Sequence, residues 1–361
     1  MKVKLGDVCD KGSSNLKQSD VINQNGQYPV YGAAGLLGNI DSYHQDKPYV
    51  AVVKDGAGVG RVTLHTGYSS VIGTLQYLLP KENVLPEYLY YVTKHMHLEK
   101  YYTGATIPHI YFKDYKNEKF NLDTIEKQQR IVDILKKTEN IIESRQQELQ
   151  KLDDLIRARF VEMFGDNQEV HKLSDIAAIT GGLTKNSRRD KLELRKPYLR
   201  VANVFFASID TTEILDIGLT KEEYEKTLLR NGDLLFVEGN GSPDQIGRVA
   251  IWNGEIEDCV HQNHLIKARF DLKRMNPVFA MYYFISERGR NQIKKRAVST
   301  SGLYTLSVSK IADFEIPNPP MELQQQFAAF VTAIDKSKAT VQKALDETQL
   351  LFDSLMQQYF G

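Results

Sequence analysis

The sequence predicts an α+β chain in which two mixed α/β regions alternate with two long helices. Residues 123–164 and 321–360 align at a single offset of 196 positions, which brings Glu126 onto Glu322. Both segments carry an apolar residue at nearly every seventh position, the spacing of a long helix that packs on a partner. The regions between them contain short apolar runs broken by glycine, typical of strands and turns. Together these observations predict a pseudo-two-fold internal repeat whose helices pack antiparallel as a coiled-coil-like spacer.

Each predicted helix has one apolar stripe, and Lys338 interrupts the second. A capping box beginning at Asp123 favours the first helix start, and Asn318 before two prolines favours the second. At 1.5 Å per residue, forty helical residues make a rod of roughly 60 Å. The residues expected to pack the spacer are Leu135, Ile142, Leu149, Ile156, Val331, Leu345, Phe352 and Leu355.

The repeat extends into the regions that precede the helices. Residues 4–8 (KLGDV) match 172–176 (KLSDI), and helices are expected near 86–97 and 278–290. The second region is about 28 residues longer than the first between matching ends. The expected strands are 28–32, 49–53, 62–64 and 76–79 in the first region, and 234–237, 248–252 and 264–270 in the second. The expected boundaries are 1–121 for the first region, 122–165 for its helix, 166–318 for the second region and 319–361 for its helix.

Composition is ordinary for a chain with well-packed cores: 42% of residues are hydrophobic and 25% are charged. Basic and acidic residues both total 46, so the distribution of charge matters more than its sum. Cys9 and Cys259 have no CxxC or Cys/His spacing around them, which argues against a disulfide framework and a metal site. No apolar leader and no run of eighteen apolar residues occurs, so we expect a cytoplasmic protein with no membrane partner.

A glycine-rich segment at 49–60 (YVAVVKDGAGVG) invites comparison with a dinucleotide-binding site. That motif requires a helix immediately after the glycines, to receive the pyrophosphate at its N-terminus. Residues 61–66 instead alternate with β-branched residues and end at Gly67, which indicates another strand. The interpretation favoured is a glycine-rich hairpin, and a nucleotide-dependent enzyme using 50–60 is the alternative.

No set of residues predicts catalysis. Residues 236–241 (FVEGNG) resemble a methyl-donor loop faintly, but the Asp/Asn-Pro-Pro-aromatic tetrad of methyltransferases is absent. Glu223 and Glu225 could imitate nuclease ligands, yet they lie in a charged segment expected to be a solvated helix. Because no nucleophile, base and orienting group can be combined, we expect no catalytic residues and no metal site.

Local basic clusters, close to Ser, Asn and Tyr residues, are the strongest functional signal. They occur at 94–102, 185–200 and 288–296. Cations suit contacts to DNA phosphates, whereas amide side chains suit readout of base edges. The candidate DNA-binding residues are Lys54, Arg61, Lys185, Arg188, Arg189, Arg200, Asn240, Arg248, Asn263 and Arg296.

The doubled order and four stretches make the chain similar to the specificity subunits of type I restriction–modification systems. The stretches are 4–8 (KLGDV), 28–33 (YPVYGA), 104–110 (GATIPHI) and 125–132 (IEKQQRIV). The chain departs from the family at 121–123 (NLD), where prolines are common, and at 326–327 (QF), where Arg-Ile is usual. The resemblance covers essentially the whole length.

The resemblance implies two target-recognition domains that read the halves of a bipartite, asymmetric site in double-stranded DNA. It also implies two methyltransferase subunits and, for cleavage, restriction/translocase subunits as partners. S-adenosylmethionine, ATP and Mg²⁺ would then bind those partners and not this chain. A specificity partner of a fused restriction–methyltransferase enzyme is the alternative that the sequence does not separate.

Overall fold

The computed structural model describes residues 1–22, 24–104, 107–165, 169–300 and 302–361, with Thr300 described by its backbone alone. These residues form two units, Met1–Glu148 with Val341–Gly361 and Leu149–Thr340. The boundary crosses both long helices, so each unit contains part of each. The helices are α1 (Leu5–Val8), α2 (Pro86–His95), α3 (Phe112–Tyr115), α4 (Ile125–Phe164), α5 (Lys221–Thr227), α6 (Pro277–Ile285), α7 (Glu287–Arg296), α8 (Val308–Ala312) and α9 (Met321–Phe360).

The first unit is built on a four-stranded antiparallel sheet in the order β2-β8-β5-β6. A three-stranded sheet β4-β3-β7 and a pair β1-β9 accompany it. Every residue of β5 is buried, which explains its unbroken apolar run. The strands are β1 (Lys2–Lys4), β2 (Cys9–Ser13), β3 (Tyr28–Gly32), β4 (Gly35–Ile40), β5 (Tyr49–Val53), β6 (Val62–His65), β7 (Ser70–Val71), β8 (Leu75–Pro80) and β9 (Lys119–Asn121).

The second unit repeats this topology with sheets β11-β18-β14-β16, β13-β12-β17 and β10-β21. It also contains α7 and a small sheet β15-β20-β19. The strands are β10 (Val170–Lys172), β11 (Ala177–Gly181), β12 (Arg195–Leu199), β13 (Leu215–Gly218), β14 (Asp233–Val237), β15 (Gly239–Asn240), β16 (Val249–Trp252), β17 (Val260–His261), β18 (Leu265–Phe270), β19 (Val298–Thr300), β20 (Leu303–Thr305) and β21 (Glu315–Pro317). The predicted mixed α/β repeat is therefore confirmed.

Each unit packs opposite ends of the two long helices into one core, as expected for antiparallel partners. In the first unit Leu135 of α4 shares a core with Phe352 of α9. In the second unit Ile156 of α4 shares a core with Val331 of α9. These four predicted packing residues are buried, and a buried side chain of this size contributes about 1.5–3 kcal/mol. The other four are half-buried: Ile142, Leu149, Leu345 and Leu355.

Lys338, which interrupts the apolar stripe of α9, forms an ion pair with Asp153 of α4 at 2.6 Å. At the repeat-equivalent positions the first unit carries Ile142 and Gln349. The break is therefore compensated inside the second unit by one acidic residue on the partner helix.

The starts of α4 and α9 are fixed by two buried glutamines at equivalent positions. The Gln128 side chain accepts from the Leu85 N–H (2.9 Å) and donates to the carbonyls of Asn83 and Asp123 (3.0 and 2.9 Å). Gln324 accepts from the Asn276 N–H (2.8 Å) in the same way, and its amide donates to the Pro319 carbonyl at 2.8 Å. Leu85 and Asn276 are the N-cap residues of α2 and α6. Each glutamine thus ties a long helix to the helix that covers its sheet.

Three details of the sequence prediction need correction. The first long helix is capped by Thr124, whose hydroxyl accepts from the Lys127 N–H at 3.4 Å, while the Asp123 carboxylate binds the Lys127 ammonium. Asn318 accepts a bond from the Gln324 side chain at 3.3 Å and no cap bond is described for it. The helix predicted at 278–290 is two helices, because Ser286 has an extended backbone and its hydroxyl caps α7.

The glycine-rich segment is a hairpin, as predicted, and not a dinucleotide-binding turn. β5 and β6 pair antiparallel, with the Val53 N–H bonded to the Arg61 carbonyl at 2.9 Å. Gly60 has φ +87°, and a Cβ there would lie 2.4 Å from the Glu99 backbone nitrogen. A side chain is therefore excluded at this position by both conformation and space.

Candidate nucleic-acid interface

In the first unit, Lys54 and Arg61 lie at the two ends of the glycine-rich hairpin. The Lys54 carbonyl accepts from the Ile110 N–H at 2.9 Å, and the Gly56 N–H donates to the Pro108 carbonyl at 2.9 Å. The hairpin is therefore bonded to the GATIPHI stretch, of which Ala105 and Thr106 lie outside the described residues.

Lys54 lines a cavity of about 280 Å³ together with two cations that the sequence analysis did not select, Lys11 and Lys113. Lys54 also lies 3.6 Å from the Asp55 carboxylate. The Lys113 ammonium lies 5.2 Å from the ring centroid of Tyr111, which is 49% exposed. Lysines beside an exposed aromatic ring suit contacts with phosphates and with the faces of bases. Lys11 and Lys113 lie far from Lys54 in sequence, so no local cluster of basic residues predicts that they share its cavity.

Arg61 and Arg248 occupy equivalent positions and make equivalent contacts. The Arg61 guanidinium donates to the Ala33 carbonyl at 2.9 Å, and the Arg248 guanidinium donates to the Val201 carbonyl at 3.2 Å. Arg248 also lies 5.4 Å from the ring centroid of Phe205. Burial lowers the pKa of Arg248 from its ordinary value. Both arginines therefore hold the hairpin of their unit against the loop that follows β3 or β12.

In the second unit, backbone bonds bring the 183–188 segment next to the turn between β17 and β18. The Leu183 N–H donates to the His261 carbonyl (2.8 Å), and its carbonyl accepts from the Asn263 N–H (2.9 Å). Lys185 and Arg188 follow immediately and are exposed. The structure therefore brings together Lys185, Arg188 and Asn263 from separate parts of the chain.

Asn240 lies in β15. Its side-chain carbonyl accepts from the Ser242 N–H at 2.9 Å, which fixes the orientation of the amide. Two positions earlier, the Glu238 N–H donates to the carbonyl of His264, the residue after Asn263. Glu238 and His264 pair through their side chains at 3.0 Å, and the sequence analysis did not select either residue.

Arg189 is held inside the protein by four bonds. Its guanidinium makes a bidentate pair with Glu223 (2.8 and 2.9 Å) and donates to the carbonyls of Thr184 (2.6 Å) and Gly218 (3.0 Å). Hydrogen bonding by Arg189 lowers the pKa of Glu223. These bonds give Arg189 the role of fixing the segment that carries Lys185, and its contact with DNA stays a prediction.

Arg200 and Arg296 also have internal partners. Arg200 donates to the Glu213 carbonyl at 3.3 Å and lies 3.4 Å from the Glu213 carboxylate. Arg296 donates to the Asp313 carbonyl and lies 5.6 Å from the ring centroid of Phe314. No hydrogen bond among the described residues joins Arg296 to Lys185 or Asn263. The DNA contacts of Arg200 and Arg296 stay predictions.

Among the residues that the structure describes, no group of three or more His, Cys, Asp or Glu side chains is placed to hold a metal ion. Cys9 and Cys259 are buried and free, and burial raises the pKa of each thiol to about 12. No helix of the described residues is both long and apolar enough to cross a membrane.

Comparison with known proteins identifies this architecture. The family described as "Type I restriction modification DNA specificity domain" matches residues 1–154 and 165–348. A candidate type I restriction enzyme specificity subunit of Methanocaldococcus jannaschii, MjaX, is 28% identical over 200 residues, covering 54% of this chain and 46% of that protein. The MjaIX specificity subunit of the same organism is 25% identical over 338 residues, covering 85% of this chain and 73% of that protein. This chain therefore spans about half of the MjaX relative and about three quarters of the MjaIX relative.

Solved structures share the fold. The S subunit of a type I restriction–modification system from M. genitalium has a TM-score of 0.61 and 17% identity, covering all of this chain and 96% of that chain. A chain from a structure on complex assembly and conformational transition of the type I system has a TM-score of 0.56 and 15% identity, covering 99% of this chain and 96% of that chain.

Proposed function

Because the chain belongs to the type I restriction–modification DNA specificity family, we propose that it reads an interrupted, asymmetric DNA sequence. Two units of one topology but different surfaces carry this proposal. The first unit presents Lys54 beside Lys11 and Lys113, whereas the second presents Lys185, Arg188 and Asn263 and an additional small sheet. Two non-identical readers in one chain are suited to two different half-sites.

In this proposal the chain catalyses no reaction and directs its enzymatic partners to one DNA sequence. Two methyltransferase subunits would dock on it, and restriction/translocase subunits would join for cleavage. S-adenosylmethionine, ATP and Mg²⁺ would bind those partners.

The gap between half-sites is proposed to follow the length of α4 and α9. Each helix has 40 residues, a length of roughly 60 Å. Removing one heptad shortens a helix by about 10 Å, which corresponds to roughly three base pairs of B-DNA. The matched segments to remove are 143–149 and 339–345, which occupy equivalent positions in the repeat.

The experiment is footprinting of DNA by the full chain in complex with its methyltransferase subunits. We expect protection of two short blocks with an unprotected gap between them. The double heptad deletion should shorten the gap by about three base pairs and leave both blocks unchanged, and insertion of one heptad in each helix should lengthen it. One continuous protected block would contradict the two-reader proposal, and an unchanged gap would reject the role of helix length.

A further inference from the structure

Lys54 and Glu238 occupy the same position in the two units. Each is the first residue after the central buried strand of its sheet, β5 or β14. The Lys54 carbonyl accepts from the Ile110 N–H at 2.9 Å, and the Glu238 carbonyl accepts from the Leu306 N–H at 2.8 Å. Ile110 and Leu306 are themselves equivalent in the repeat. The backbone is therefore conserved between the units, while the side chain changes from a cation to an anion.

The surroundings change with the side chain. In the first unit Lys11 and Lys113 line the cavity with Lys54, so two more cations flank the position. Their equivalents in the second unit are Ile179 and Ser309, which are uncharged. The positions equivalent to all three cavity lysines are therefore without positive charge in the second unit.

The Glu238 carboxylate is partly exposed and is oriented by one neighbouring side chain. Its side chain is 29% exposed, and one carboxylate oxygen lies 3.0 Å from Nδ1 of His264, which is 56% exposed. The other carboxylate oxygen has no hydrogen bond among the described residues. Asn263 precedes His264, whose carbonyl accepts from the Glu238 N–H, and Asn240 lies two residues after Glu238.

A carboxylate on a DNA-binding surface restricts what that surface can contact. It repels the phosphate backbone, so phosphate contact is unfavourable there. It can accept hydrogen bonds from exocyclic amino groups of bases, and the cytosine N4 amino group in the major groove is the common partner of Glu. A lysine at the equivalent position donates to the O6 and N7 acceptors of guanine.

We propose that this strand-end position determines sequence specificity in both units: Lys54 reads a guanine in one half-site, and Glu238, oriented by His264, reads a cytosine in the other. The proposal rests on the proposed function, since it requires that each unit face one half-site. The two base-reading residues thus have opposite charges at equivalent backbone positions of the two units.

The test selects binding sites from randomised DNA duplexes with the full chain in complex with its methyltransferase subunits. Glu238→Gln keeps the shape of the side chain but adds an amide donor and removes the charge. It should reduce discrimination at one base pair of one half-site by roughly 5- to 150-fold and leave the other positions unchanged. Glu238→Lys should change the preferred base at that pair from cytosine to guanine, and Lys54→Glu should do the reverse in the other half-site.

Matched controls separate base reading from other roles. Glu225→Gln removes an exposed carboxylate from α5 and should leave every preference unchanged. His264→Ala, which removes the orienting partner, should weaken discrimination at the same pair as Glu238→Gln. Melting temperatures verify that each complex is folded before selection.

The outcomes are distinguishable. If both variants at Glu238 leave all base preferences unchanged while two half-sites are still selected, the inference is overturned and the proposed function stands. Uniform weakening on all sequences would likewise overturn it, since that pattern indicates a phosphate contact or a structural role. If the unmodified complex selects no interrupted site at all, the proposed function itself fails.

Discussion

Replacing Gln128 with leucine perturbs the joint between α4 and α2 while keeping a side chain of similar size. The change removes the acceptor of the Leu85 N–H and the donor to the carbonyls of Asn83 and Asp123. Because Gln128 is fully buried, water cannot easily replace these bonds. We therefore expect a loss of stability confined to the first unit.

The magnitude follows from the three bonds. An orphaned buried N–H costs about 1–3 kcal/mol, and each carbonyl loses a bond with a net contribution of about 0.5–1.5 kcal/mol. Leucine recovers part of this through greater apolar burial. The expected change in the free energy of unfolding is roughly 2–4 kcal/mol, or a fall in melting temperature of about 5–15 °C for a unit of this size.

The assay is thermal unfolding of the full chain combined with amide hydrogen exchange. The Leu85 amide should lose protection in Gln128→Leu, and the Asn276 amide should lose it in Gln324→Leu, which carries the equivalent joint. Gln129→Leu is the matched control, because Gln129 is exposed and the one side-chain bond described for it goes to Asp133. Equal stability of the Gln128 and Gln129 variants, or unchanged exchange at Leu85, would refute the reasoning.

Three further predictions follow from side-chain contacts. Lys185→Ala should weaken DNA binding and lower its salt slope by about one without changing stability, whereas Arg189→Ala should lower the melting temperature because it breaks four internal bonds; equal melting temperatures would contradict this. Burial and two neighbouring cations lower the pKa of fully buried His261 to about 3, so the stability present above pH 6.5 is lost as pH falls toward 3. His261→Val should flatten that loss by up to about 1.4 kcal/mol per pH unit in urea titrations, and an unchanged slope would count against it. Lys338→Ile should lower the free energy of unfolding by about 0.2–1 kcal/mol, because it removes the ion pair with Asp153. Adding Asp153→Gln should restore stability, because the first unit carries isoleucine and glutamine at the equivalent positions. A double variant less stable than the single one would contradict this pairing.

The helices and the repeat could be predicted because their signals are local and periodic. The seven-residue stripe identifies α4 and α9 to within about two residues, since helix formation over forty positions averages out local exceptions. The hairpin at 49–66 could be predicted equally well, because the alternation of β-branched residues after Gly60 argues against a helix. The stripe did not reveal that Lys338 is compensated, since Asp153 lies on the other helix.

The candidate interface depends on contacts that are distant in sequence. Arg189 belongs to a basic cluster, but its partner Glu223 lies 34 positions away, so only the folded chain reveals that the cation is occupied. Glu238 lies in the stretch that resembles a methyl-donor loop, and its equivalence to Lys54 follows from the sheet pairing and not from sequence similarity. Sequence predicts where charge is concentrated, whereas the fold decides which charges are free to act.

Methylation mapping of host DNA with and without the gene tests the central claim most directly. The account predicts adenine methylation at one asymmetric motif made of two short specific blocks separated by a gap of fixed length. The motif should disappear when the gene is deleted and return when it is restored. Methylation that is unchanged when the gene is deleted, or a motif without a gap, would contradict the claim that this chain recognises a DNA site made of two separated parts.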